Sequence, residues 1–128
     1  MICGATIDEE IAAKVLGARE RVLPAIHEKV AWHLGIVREW MDAQDIFEWV
    51  EPAAGVVGLV RVRADYDAFD PARFYDTLLA DHGTYVGPGH WFGQDRRYFR
   101  LGFAWPATDE LERGLTGLSA AAATAGAT

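Results

Sequence analysis

Arg100 is the residue whose type and setting best suit chemistry. It stands in Tyr98-Phe99-Arg100-Leu101-Gly102-Phe103-Ala104, where Phe99, Leu101 and Phe103 share one face of a strand and Tyr98, Arg100, Gly102 and Ala104 share the other. A guanidinium on the non-core face can hold a carboxylate through two parallel hydrogen bonds, although the same pattern also fits an ordinary surface arginine. Other chemistry is thinly represented. His27-Glu28 begins like the zinc pattern HExxH, but the second histidine belongs at position 31, which is Ala31. His33, six residues on, is turned about 240° round a helix. Two solvated or partner-facing histidines are expected, and neither Cys3 nor His82 has ligand spacing, so no metal site is assigned. Gly87, Gly89 and Gly93 lack the lysine-hydroxyl ending and the following helix of a phosphate loop, and read as a tight aromatic-lined turn. Ser119, the only serine, has no base placed to activate it. No residue of this chain is therefore assigned a catalytic role.

Composition narrows the classes further. A chain of 128 residues, 51% of them hydrophobic, suits one domain with its own core and needs neither disulfides nor a structural metal to fold. Its single cysteine, Cys3, cannot form an internal bridge, which fits a reducing, cytoplasmic setting. Twelve basic against 19 acidic residues leave a net charge of −7, and the densest cationic cluster is Arg96, Arg97 and Arg100. Such a surface does not track nucleic-acid phosphates. No apolar run approaches the roughly 20 residues of a spanning helix, and no basic segment followed by an apolar one opens the chain. A soluble, unexported protein follows, with neither nucleic acid nor membrane as partner.

The elements that would position Arg100 follow from periodicity. Thr6-Ile7-Asp8-Glu9 has the form of a capping box, with Ile7, Ile11, Val15 and Val22 at helical spacing behind it. Pro24 is expected to stop, kink or restart that helix. From Ala25 to Ala43 one stripe carries Ile26, Val30, Leu34, Val37 and Met41, and an adjacent flank carries Trp32, Ile36 and Trp40. A helix apolar over so much of its circumference should lie between two layers or against another domain or subunit. The period then changes to two over Phe47 to Val50 and Val56 to Arg63, joined by the Pro52 to Gly55 turn. Asp70-Pro71 opens a helix, with Phe69 able to staple onto Phe74, and His82-Gly83 ends it. A short strand is expected around Tyr85-Val86, then the Gly87 to Gly93 loop, the Arg100 strand, and a last helix capped by Thr108 with Leu111, Leu115, Leu118 and Ala122 buried. The order predicts an α+β fold: a small, mainly antiparallel sheet with helices packed on one face, preceded by a long N-terminal helix pair. Residues 1–45 form the helical lead-in, 46–122 the domain proper, and 123–128 a tail expected to be disordered.

From about Val50 onward the sequence resembles the C-terminal small domain of fold-type I pyridoxal-phosphate-dependent aminotransferases of class I/II. Five pieces in order carry the resemblance: Pro52-Ala53-Ala54-Gly55 before Val56 to Val62; Phe74 to Leu79 with His82-Gly83; Val86-Gly87-Pro88-Gly89 with Phe92-Gly93; Phe99-Arg100-Leu101-Gly102-Phe103-Ala104; and the helix Leu111 to Leu118. Residues 7–45 are similar in pattern to the helices that lead out of the family's large domain. The resemblance implies that Arg100 binds the α-carboxylate of an amino-acid or 2-oxo-acid substrate, and that His90 and Trp91 lie near the active-site mouth. It also implies pyridoxal phosphate in the complete enzyme, whose Schiff-base lysine, acidic partner for the pyridine nitrogen and phosphate cup belong to the large domain. Ala13-Lys14-Val15-Leu16-Gly17-Ala18-Arg19 is only faintly similar to the lysine motif: its spacing is shorter and it lies within a helical period. The chain reads as a truncated or split enzyme, binding no cofactor and inactive alone. The alternative is a non-catalytic module of the same fold that binds a partner or dimerises through the apolar N-terminal helices.

Overall fold

The computed structural model describes residues 5–126; Cys3 lies outside them. Two helices open the fold, α1 (Thr6–Gly17) and α2 (Arg19–Asp42). Strands β1 (Phe47–Trp49) and β2 (Val57–Val62) follow, then α3 (Pro71–Ala80), β3 (Gly87–Pro88), a short 3-10 turn at Gly89–Phe92, β4 (Tyr98–Gly102) and α4 (Thr108–Gly126). The sheet runs β1-β2-β4-β3 with every neighbouring pair antiparallel. This is the α+β architecture expected, with helices over one face of the sheet.

The two-residue alternation decides which face is covered. Phe47, Val60, Val62, Phe99 and Leu101 are buried, and α3 and α4 bring Phe74, Leu78, Leu111, Leu115 and Leu118 onto them. Aromatic rings link the layers: Phe47 meets Phe99 edge-on at 5.4 Å, and Phe74 lies 5.8 Å from Phe99 and 5.4 Å from Phe69. Each such pair adds about 0.5–1.5 kcal/mol beyond the area it buries. Phe69 and Phe74 make the staple read from the sequence. Asp70 caps α3 by accepting from Ala72 N at 2.9 Å and Arg73 N at 3.3 Å, with Pro71 at the first helical position.

Several local expectations are corrected. Ala5 precedes α1 and no side chain caps that helix, so the Thr6/Glu9 box does not form. The break between the helices falls at Ala18 (φ −97°, ψ 8°), whereas Pro24 lies inside α2. Its missing N–H deprives the carbonyl of exposed Glu20 of a helical donor, a loss that water can offset. The strand expected at Tyr85-Val86 forms at Gly87–Pro88 instead, where β3 finds β4 as partner. His33 is neither solvated nor turned to a partner: it is 1% exposed, its Nδ1 lies 2.6 Å from the Phe103 carbonyl and its Nε2 3.2 Å from Thr108 Oγ1. Because a carbonyl can only accept, Nδ1–H donates to Phe103, and Nε2 shares the second hydrogen bond with the Thr108 hydroxyl. The tail expected to fray from 123 is helical to Gly126. Ala125 is buried and its carbonyl accepts Asp70 N–H at 3.1 Å, so small side chains here permit close approach to the start of α3. Residues 127 and 128 lie outside the described residues.

Candidate functional site

The sheet face away from the helices is open, and its registers place the polar groups in rows. Glu48, Arg61 and Tyr98 stand opposite one another across β1, β2 and β4. The Arg61 guanidinium pairs with Glu48 and donates to the Tyr98 hydroxyl at 3.1 Å. Those hydrogen bonds, first Tyr98 and then Glu48, hold the Arg61 guanidinium above its ordinary pKa. One row further, Leu59, Arg100 and Gly87 stand abreast. Arg38, Arg61, Arg63 and Arg113 are each paired with a carboxylate, whereas among the described residues no carboxylate pairs with Arg100. Its guanidinium carbon instead sits over the Phe92 ring, 4.4 Å from the centroid.

Arg100 also walls a cleft of about 390 Å³. The cleft opens where β3 begins: β3 pairs only with Phe99 and Arg100, so Leu101 and Gly102 continue past its Gly87 end. Leu101, Leu111, Leu115 and Leu118 line it from the core side, while Thr84, Tyr85, Trp105 and Glu110 line it as well. The cleft thus has an apolar floor with Arg100 at its rim. Trp105, 95% exposed, and Glu110 were not singled out from the sequence. They reach the cleft only because the turn after β4 returns the chain beside β3.

His90 and Trp91 stand on the Gly89–Phe92 turn and are exposed, but neither lines the cleft. Trp91 packs 6.0 Å from Tyr85, a cleft residue, and 6.3 Å from His90. Phe92, the next residue, is the one brought to Arg100. Below the turn, Tyr75 ties α3 to β4 and the residues before it, its one hydroxyl proton shared between the carbonyls of Tyr98 at 2.9 Å and Arg96 at 3.0 Å. Burial pushes the Tyr75 hydroxyl up to about 12. Gly89 meets β4 so closely that an added Cβ would lie 2.7 Å from Tyr98 O.

Lys14 is exposed on α1 beside Glu10 at 3.8 Å, and exposed Lys29 reaches the Trp105 carbonyl at 3.3 Å; neither lines the Arg100 cleft. No group of three or more His, Cys, Asp or Glu side chains converges among the described residues. Ser119 accepts from Trp40 Nε1 at 2.9 Å, a packing contact between α4 and α2. No helix is long and apolar enough to cross a membrane among the described residues.

No protein-family model matches the chain. Capreomycidine synthase of Streptomyces vinaceus is 40% identical to it over 84 residues, 65% of this chain and 20% of that protein. A PLP-dependent aminotransferase from Streptococcus suis superimposes with a TM-score of 0.78 at 28% identity, covering 98% of this chain and 32% of that one. The PLP-dependent cyclase OrfR gives the same TM-score and identity, over 94% of this chain and 32% of its own. The chain thus spans about a fifth of the curated relative and a third of each of these structures. Over nearly all of its length the chain is similar to part of pyridoxal-phosphate-dependent aminotransferases and cyclases, and its α+β fold is aminotransferase-like.

Proposed function

We propose that the chain is the C-terminal portion of a pyridoxal-phosphate-dependent aminotransferase and that Arg100 holds the α-carboxylate of its amino-acid or 2-oxo-acid substrate. The observation that carries the reading is Arg100 itself. It stands on the open sheet face, paired with no carboxylate among the described residues, and walls the cleft beside β3. A fork of N–H donors fixed on a strand sets both the position and the plane of a bound carboxylate, and so the direction in which the α-carbon is presented. The catalytic lysine and the groups that hold the cofactor lie outside this chain, which contributes binding and orientation. His90 and Trp91 form the outer part of the site through Tyr85. Residues 1–45 are the lead-in from a large domain, which covers the apolar side of α1 and α2.

Replacing Arg100 with alanine in the complete enzyme removes a two-bond charge-assisted contact and should raise KM for α-carboxylate substrates roughly ten- to a hundredfold. An unchanged KM overturns the assignment. A reading frame upstream that encodes a large domain with the lysine motif supports the enzyme reading.

One observation favours the second reading, a binding or dimerisation module. α1 buries none of its residues, and Ile7 and Leu16 are 68% and 64% exposed. Under that reading the isolated chain is a discrete dimer that Ile11→Asp dissolves, measured by sedimentation equilibrium. A clean monomer at high concentration excludes it.

A further inference from the structure

We infer that Phe92 is the positioning residue of Arg100: its ring holds the guanidinium over one spot of the open face, so that the cleft meets an ordered fork of donors instead of a mobile side chain. The inference rests on the carboxylate reading of Arg100 and adds the device that makes it specific. Three independent features converge on the contact. The guanidinium carbon lies 4.4 Å from the Phe92 centroid, within the range of a cation over an aromatic face. Gly87, directly opposite Arg100 in the β3–β4 register, leaves the space the ring occupies: a Cβ there would sit 3.3 Å from Phe92 Cε2 and 3.5 Å from Arg100 Cβ. The turn that carries Phe92 is seated against β4 at its other end, where Gly89 lies so close that an added Cβ would be 2.7 Å from Tyr98 Cβ and Tyr98 O. Phe92 nevertheless remains 44% exposed, so its ring is placed for what it touches more than for what it buries.

An arginine on a strand loses much rotamer freedom when it grips a ligand. A ring that already confines the guanidinium removes part of that cost before the carboxylate arrives, and an exposed cation–π contact corresponds to roughly two- to fivefold in affinity.

The test uses the full 128-residue chain, ¹⁵N-labelled, with the Arg100 Nε–H signal identified by its loss in Arg100→Lys. Wild type should show Arg100 side-chain protons shifted upfield by the ring current and a positive heteronuclear NOE at Nε. Phe92→Leu, which keeps an apolar cover but no aromatic face, should abolish both; Phe92→Tyr should preserve both. Backbone amide signals of β2 and β4 report that each variant is folded, and Phe92→Met replaces the leucine variant where it is not. Sodium pyruvate is then titrated against sodium chloride at equal ionic strength, and its apparent dissociation constant should rise roughly two- to fivefold in Phe92→Leu. Arg100 equally ordered in Phe92→Leu overturns the inference whatever pyruvate does. A wild-type response to pyruvate no greater than to chloride overturns the carboxylate reading, and the positioning role with it, even where the ordering effect of Phe92 is seen.

Discussion

The same substitution, glycine to alanine, should have opposite signs at two places in this fold. At Gly89 a Cβ would meet Asp95 O at 2.5 Å, Tyr98 Cβ at 2.7 Å and Tyr98 O at 2.7 Å, and two of those atoms are backbone oxygens that cannot swing away. Relief requires moving Gly89 off β4, which disturbs the Gln94 N–H that Gly89 O accepts at 3.0 Å and the pairing of Pro88 with Phe99 next to it. Overpacking of this kind costs about 1–3 kcal/mol, and the lower entropy of the unfolded alanine chain offsets only about 0.4–1 kcal/mol. A net loss of about 1.3 kcal/mol is expected. At Gly35, in the interior of α2, an added Cβ meets nothing within 4 Å, so Gly35→Ala should gain up to about 1 kcal/mol from helix propensity alone. Urea unfolding followed by far-UV circular dichroism reads both: with a slope of about 1.5 kcal/mol per molar, Gly89→Ala lowers the midpoint by about 0.9 M and Gly35→Ala raises it by up to about 0.7 M. A Gly89→Ala midpoint within about 0.3 M of wild type, or a lowered Gly35→Ala midpoint, refutes the steric argument.

His33→Leu keeps the volume but leaves the buried Phe103 carbonyl without its donor; about 2 kcal/mol of stability should be lost, read from the urea midpoint, and a change under about 0.5 kcal/mol would mean that the carbonyl finds water. Tyr75 has a hydroxyl pKa raised in the folded state to about 12, so its stabilising effect is complete below the unfolded tyrosine value near ~10 and fades as pH rises from there through about 12. The stability advantage of wild type over Tyr75→Phe should therefore shrink between about pH 10 and 12, and parallel pH profiles would rule this out.

Local signals and long-range ones fared differently because they are different physics. The start of α3 was legible because its cap, its proline and its staple all lie within Phe69 to Phe74, and each acts on backbone groups a few residues away. The side assigned to Arg100 was legible for the same reason: alternation within β4 alone decides it. The burial of His33 was not, since its partners lie 70 and 75 residues further along, and an isolated helical histidine looks the same whether it faces water or a carbonyl. The site divides along that line. Arg100 could be named from one strand, whereas Phe92 reaches it only through the pairing of Gly87 with Arg100, a register fixed by a strand too short to leave a pattern. The resemblance implies His90 and Trp91 near the site mouth; on the 3-10 turn Trp91 packs by Tyr85, while Phe92 meets the Arg100 guanidinium. Where a short loop turns between two strands, adjacent residues face different surroundings, so a resemblance locates the turn while the backbone decides which of its side chains meets the site.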